Sequence, residues 1–321
     1  MAELGPLENV HSIIVREDFT ELEHAMVELD TTPLTENFGI EVNNVDLSTV
    51  SSNHLFADIR HAFDTHSALL FRNQNFTQDN HVNLAKLFGP LEDRSQSDLK
   101  VRGKFKVPKV SNVTDDGSVT EENDLHTLNL KANQLWHTDS TFLPIPALVN
   151  ILVARVVTST GGETELATTR AAWRDMPEEL KSKVRGKSIW HRYGHSRKKV
   201  SEELANNQLF TKWEDQCWKS VWTNPANGEE ALYVASHAFR IEGMSEEESE
   251  PIIDELASFC TQPHYVYSHK WKSGDVLIWD ERATLHRGMP WPYDEPRTLS
   301  SICCSVTVAD GLETVRGERA A

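Results

Sequence analysis

Cysteine is scarce: four residues in 321, at positions 217, 260, 303 and 304, with no Cys-x-x-Cys pair. That spacing excludes a disulfide framework or a zinc knuckle and leaves reduced, structural thiols as the expectation. Long apolar runs are missing as well, none approaching the ~20 residues needed to span a bilayer. The start, Met1 to Val10, has neither a basic nor an apolar leader segment. A cytoplasmic protein with no membrane partner is expected. Positive charge is in deficit, 32 basic against 49 acidic residues, for a net charge of −17. Such a field repels a phosphate backbone at long range, so nucleic acid is not an expected partner. A small anion is not excluded, because a few arginines lining one cleft reverse the potential within a Debye length of ~8 Å. No internal repeat or low-complexity tract is visible.

What is present is the composition of a globular enzyme, 39% aliphatic and aromatic residues with 25% charged. The length suffices for one large domain or two ordinary ones. Apolar, branched runs predict strands at Gly39 to Leu47, Ala68 to Phe71, Leu148 to Val157, Ala231 to Val234, Tyr265 to His269, Val276 to Trp279 and Ser300 to Val308. Helical periodicity covers Asn53 to Phe63, Gln78 to Phe88, Pro177 to Val184 and Glu246 to Cys260, with Thr77, Met176-Pro177 and Ser245 as starts. Asn227-Gly228 signals a hairpin. The polar stretch Asp115 to Asn133 reads as an irregular mobile loop, either a lid or a plain surface insertion. Helices scattered among irregularly spaced strands favour a mainly β fold with helices: a double-sheet jelly roll with helical insertions.

The chemistry concentrates in two segments. In Trp136-His137-Thr138-Asp139, an extended backbone would project His137 and Asp139 to one face, where both can grip one ion. The pair alone is weak, since 14 histidines in this chain give about one chance His-x-Asp. A third ligand comes from Trp279 to His286, where an apolar run turns and ends on His286, 149 residues after His137. Two imidazoles and one carboxylate on one face of an octahedral ion leave three positions open, the facial triad of non-haem Fe(II) oxygenases. Arg297, eleven residues after His286, can pair bidentately with the distal carboxylate of 2-oxoglutarate, and Thr164 can add a hydroxyl hydrogen bond. Taken singly, Arg297 reads as a surface arginine and Thr164 as an ordinary turn residue.

Five stretches now resemble one family: Ala68-Leu69-Leu70-Phe71-Arg72, Phe88-Gly89-Pro90-Leu91, Trp136 to Phe142, the Thr160 to Thr164 turn, and Trp279 to His286. The chain is similar to taurine dioxygenase and 2,4-dichlorophenoxyacetate dioxygenase, the TauD/TfdA-like family. The resemblance runs from about Phe38 to Thr307 and implies one domain over residues 1–321 with short extensions. It implies a double-stranded β-helix core, iron at His137, Asp139 and His286, and 2-oxoglutarate at Arg297 and Thr164. The implied reaction consumes O2 and 2-oxoglutarate, oxidises an unactivated C–H bond of a small organic substrate, and releases succinate and CO2. Hydroxylation, desaturation, ring closure and cleavage remain equally open outcomes. Trp136, Phe142, Trp279 and Trp291 are candidates for lining and drying the cavity, with core packing as the alternative.

One departure bears on substrate. Relatives that oxidise sulfonates or aryloxy acids carry a second arginine four residues after the co-substrate arginine, and here Ser301 stands in that place. A hydroxyl cannot supply the charge-assisted pair, so either the substrate lacks an anion there or another cation replaces it. Arg94 and Asn133 correspond approximately to the family's substrate-contacting places, and Arg192 and Arg197 are further candidates against solvated surface charge. The remaining histidines, His237 among them, are expected in surface or hydrogen-bonded core roles. Competing readings are a zinc hydrolase on the same three ligands, which leaves Arg297 and Thr164 without a purpose, and a catalytically silent binding protein. The oligomeric state stays open between a monomer and a homo-oligomer.

Overall fold

The computed structural model of the chain describes residues 29–52, 54–92, 105, 107–114, 116–120 and 125–317. The longest strand, Ala147–Val156, shows why a β fold forms here: its first eight residues are buried, and a mostly apolar run rich in Val, Ile and Leu suits a strand covered on both faces. It pairs antiparallel with Val276–Asp280 on one side and Thr298–Ser305 on the other. Around it grows a seven-stranded sheet in the order Thr31–Pro33, Ile40–Val42, Ala68–Phe71, Val276–Asp280, Ala147–Val156, Thr298–Ser305, Lys109–Ser111. Its strands therefore come from both ends of the described chain.

A second sheet of three strands, Val266–His269, Thr164–Thr168 and Thr284–Gly288, packs against the first. Leu70, Leu152, Leu277, Trp279 and Leu299 of the large sheet share one buried cluster with Leu166 of the small one. This is the double-sheet jelly roll, and the space between its sheets is where the candidate ligands converge. On the outer face of the large sheet, helices His54–His66 and Gln78–Phe88 bury Ile59, Phe63, Leu84 and Phe88 against Leu69, Ile151 and Ile278. Ser188–His191, Gln216–Lys219 and Ala238–Ile241 form a further small sheet, beside which helix Glu246–Cys260 packs.

Several expectations need correction. The strand foreseen at Gly39 to Leu47 shrinks to Ile40–Val42, because Asn44 takes a left-handed conformation (φ 58°) and Asp46 caps a short 3-10 turn at Leu47–Thr49. Within the supposed loop at Asp115 to Asn133, Leu125–Ala132 is a helix that buries Thr127, Leu130 and Ala132. Its apolar positions outweigh the polar flank that suggested a loop. The last strand begins two residues early and stops at Ser305, followed by a 3-10 turn at Val308–Asp310. Strand Glu230–Leu232 pairs with Val221–Thr223 across a loop holding Asn227-Gly228, with Gly228 at φ 75°, so the hairpin stands but with a longer connection. Asn53, the foreseen start of the first helix, lies outside the described residues.

Candidate metal and co-substrate site

His286 sits in the middle of strand Thr284–Gly288, whose pairing to Thr164–Thr168 sets Gly288 opposite Thr164. His137 is not on a named strand, as had been expected. It forms an isolated bridge with His286, donating its amide to the His286 carbonyl at 3.0 Å and accepting from the His286 amide at 2.7 Å. This reciprocal pair brings the two imidazoles to a centroid separation of 4.1 Å. Ser140 then adopts φ 61° and turns the chain, so Asp139 is a turn residue rather than a strand partner. Asp139 Oδ1 lies 3.9 Å from His137 Nε2, and Oδ2 lies 3.9 Å from His286 Nε2. One ligand atom from each of the three lies within 4.8 Å of the others, too far for hydrogen bonds and close enough to share one ion. Two imidazole nitrogens and a carboxylate are the donor set suited to Fe(II) with open positions.

Neighbouring side chains hold these candidate ligands in place. Asn150 Nδ2 donates to Asp139 Oδ2 at 2.8 Å, and Ser301 Oγ donates to Asn150 Oδ1 at 2.9 Å. The Asp139 amide donates to Glu281 Oε2 at 2.9 Å, and His137 Nδ1 lies 2.7 Å from the Leu135 carbonyl, which fixes its ring. Burial, and then the neighbouring Asp139 charge, push the Glu281 carboxyl well above the usual range. Cys303 Sγ lies 3.4 Å from Asp139 Oδ2.

The three candidate ligands open onto a cavity of about 750 Å³ that is also lined by Thr164, Arg297, Asn133, Phe142, Trp279 and Trp291. Arg297 is 4% exposed, and its guanidinium lies over the Trp291 ring at 4.7 Å and donates to the Gly162 carbonyl at 2.8 Å. Among the described residues no carboxylate forms an ion pair with it. Burial lowers its pKa to about 10, which still leaves a full positive charge at neutral pH. Thr164 Oγ1 accepts from Trp271 Nε1 at 3.1 Å, leaving the hydroxyl proton available toward the cavity. Arg297 and Thr164 thus stand on the wall of one chamber.

Other candidates separate. Trp136 does not line the cavity; Arg287 stacks on it at 4.5 Å, and it packs against the buried residues around Trp173. Arg192 is committed to Asp215 at 2.9 and 2.8 Å, whereas Arg197 does line the cavity. Arg94 lies outside the described residues. Asn133 lines the chamber, its carbonyl accepting from the Gly288 amide at 2.9 Å. Residue spacing missed the buried Asn150, Glu281 and His237 and the half-buried Tyr193, whose signal is nonlocal. Asn150 had one local hint, a lone amide among the apolar residues 147–154.

A family model described as "Taurine catabolism dioxygenase TauD, TfdA family" matches residues 30–303. An alpha-ketoglutarate-dependent 2,4-dichlorophenoxyacetate dioxygenase of Burkholderia sp. (strain RASC) is 33% identical over 262 residues, 81% of this chain and 88% of that protein. An (S)-phenoxypropionate/alpha-ketoglutarate-dioxygenase of Sphingobium herbicidovorans is 32% identical over 279 residues, 84% of this chain and 92% of its own length. The crystal structure of AAD-2 in complex with Mn(II) and N-oxalylglycine superposes with a TM-score of 0.80 at 30% identity, covering 88% of this chain and 98% of that one. The chain therefore belongs to the TauD/TfdA family and is a dioxygenase that uses Fe(II), 2-oxoglutarate and O2 on a small organic substrate.

Proposed function

We propose that His137, Asp139 and His286 are the iron ligands, that Arg297 and Thr164 bind the distal carboxylate of 2-oxoglutarate, and that Asn133 contacts the substrate. The observation that carries this reading is the convergence of three ligand atoms within 4.8 Å in the chamber that also holds the buried cation Arg297. Iron loaded with 2-oxoglutarate and O2 supplies the oxidising power for C–H cleavage, with succinate and CO2 as products. The residues here orient the co-substrate and exclude water. The bidentate fork of Arg297 matches a carboxylate, and its burial strengthens the pair by lowering the local dielectric. Trp279 and Trp291 remove water from around the reacting centre. Asn150 and Glu281 hold Asp139 at a fixed orientation.

The reading extends to the whole chain as one catalytic domain, because the large sheet gathers strands from Thr31–Pro33 to Thr298–Ser305. A cytoplasmic enzyme acting on small molecules, rather than on nucleic acid or at a membrane, fits the four buried free cysteines and the acidic charge. No helix among the described residues is long and apolar enough to cross a membrane. The test is succinate release from purified protein supplied with Fe(II), 2-oxoglutarate and air, measured against His137→Ala. Activity dependent on Fe(II) and abolished in the variant is expected; activity with Zn(II) and no 2-oxoglutarate would overturn the assignment in favour of a hydrolase.

A further inference from the structure

Thr164 opens the strand Thr164–Thr168, and the neighbouring strand Val266–His269 sets His269 directly opposite it. Two residues past the end of that neighbour, the half-buried Trp271 returns to Thr164. It packs against the buried cluster around Leu70, Leu166 and Trp279, and its Nε1 donates to Thr164 Oγ1 at 3.1 Å. His269 braces it. This imidazole is fully buried, with Nδ1 2.9 Å from Tyr267 Oη and Nε2 3.2 Å from Asp275 Oδ2, and its ring meets that of Trp271 at 90° with centroids 4.4 Å apart. Asp275 Oδ2 is held in turn by the Lys272 amide at 2.8 Å and by Arg72 Nη1 at 2.6 Å. With both its nitrogens engaged the His269 ring is fixed, and an edge-to-face contact on a fixed ring keeps the indole in one orientation.

A threonine hydroxyl carries one proton and two lone pairs, so toward any one neighbour it can donate or accept, whereas an indole N–H can only donate. Facing Trp271, the Thr164 oxygen has to accept, and its proton must point elsewhere. Among the described residues no protein atom takes that proton, and Thr164, itself buried, lines the chamber that also holds Arg297. A carboxylate, which only accepts, is the matching ligand group. A water or a hydroxyl in place of the indole could instead accept the Thr164 proton, leaving lone pairs turned toward the chamber, where they repel a carboxylate.

We propose that Trp271 is a positioning residue for the co-substrate: by donating to Thr164 it commits the Thr164 hydroxyl to donating into the chamber, and so sharpens the preference for a 2-oxo acid with a charged far end. Arg297 supplies the charge, and Trp271, acting through Thr164, supplies the direction of the second hydrogen bond. Trp271 itself touches no ligand in this scheme. The inference rests on the reading that Thr164 and Arg297 bind the distal carboxylate of 2-oxoglutarate, and the experiment separates the two.

Two 2-oxo acids are titrated anaerobically into the Fe(II)-loaded protein, and the visible Fe(II)–2-oxo acid absorption band is followed: 2-oxoglutarate, and 2-oxopentanoate, which carries a methyl group where 2-oxoglutarate carries its distal carboxylate. Trp271→Phe keeps an aromatic ring and removes the N–H; it weakens 2-oxoglutarate about fivefold, leaves 2-oxopentanoate within about twofold, and leaves the band at its wavelength. Replacing Trp271 by benzothienylalanine, which puts sulfur where the indole has N–H and preserves the ring outline, gives the same loss and covers the case in which Trp271→Phe fails to fold. Thr164→Val weakens 2-oxoglutarate about tenfold, and adding Trp271→Phe to it costs less than about twofold more, because the hydroxyl to be oriented is gone; Thr164→Ser retains the dependence on Trp271. Three results each overturn the role of Trp271 while the co-substrate reading stands: unchanged 2-oxoglutarate affinity in Trp271→Phe, an equal loss for 2-oxopentanoate, or losses that multiply in the double variant. A band that never forms in the unaltered protein, or Thr164→Val binding 2-oxoglutarate normally, sinks the co-substrate reading itself and the inference with it.

Discussion

Asp139 shows how a single proposed ligand depends on its surroundings. Its carboxylate receives Asn150 and its amide is tied to Glu281, so its orientation is set before any ion arrives. Asn150→Ala removes that donor from a buried carboxylate and is expected to weaken Fe(II) or Mn(II) binding by about 10- to 100-fold, read by metal titration, while the fold persists. An unchanged affinity would mean that Asn150 only fills space. Arg297 carries a different expectation. Arg297→Ala leaves 2-oxoglutarate without its charge partner and should raise the half-saturating concentration by about 100-fold or more at unchanged metal affinity, with Arg297→Lys intermediate because an ammonium lacks the planar fork. The proposed ligand residues were legible as a motif because both halves are short and chemically distinctive. Asn150 and His237 were not, since a buried amide or imidazole announces itself only through what it touches.

Local elements followed local rules where those rules are strong. Helix Glu246–Cys260 begins at Ser245, whose hydroxyl accepts from the Glu248 amide while Glu248 reaches back to the Ser245 amide, the capping box expected from Ser-x-x-Glu. Ser245→Ala should cost about 1 kcal/mol, seen as a lower midpoint in urea. Thr77 caps Gln78–Phe88 in the same way. The turn before Thr164 is more consequential, because Gly162 has φ 70° and a Cβ there would lie 2.9 Å from Arg297 Nε. Gly162→Ala is therefore expected to disturb Arg297, the proposed co-substrate arginine, as well as the turn, lowering 2-oxoglutarate affinity together with thermal stability. A stability loss with unchanged 2-oxoglutarate affinity would confine the effect to the backbone. Strand limits were less legible, as at Gly39 to Leu47, because apolar content continues past the point where Asn44 reverses the backbone.

Across the molecule, buried histidines give the fold an acid limit. His81 and His191 are both fully buried, and burial drops each pKa from 6.5 to about 3. Between those values the unfolded chain binds protons that the native state excludes, so their contribution is complete above pH 6.5 and lost as pH falls toward 3. Two such groups give a slope of up to about 2.7 kcal/mol per pH unit. The urea midpoint of the metal-free protein should accordingly fall between pH 7 and pH 5, and a flat profile would show that these rings are hydrated. Asp64 and Asp275, both held below the usual carboxylate range despite burial by pairing with Arg60 and Arg282 and with His269 and Arg72, reinforce the loss at still lower pH.

Alternation, caps and turn residues act over a few positions, so they were enough to set the β-rich class and the helices Gln78–Phe88 and Glu246–Cys260, and two short motifs marked the three proposed ligands. Two matters lay beyond them. The first is which polar residues share the chamber: Ser301 joins Asn150, Arg197 joins His237, Arg192 goes to Asp215, and Trp136 leaves the cavity for the face of Arg287. The second is the meeting of His137 with His286, joined by two backbone hydrogen bonds across 149 residues. Both depend on how the two sheets close on each other, because desolvation and charge pairing belong to neighbours in space, and a residue's neighbours in space are not written in the spacing of the chain.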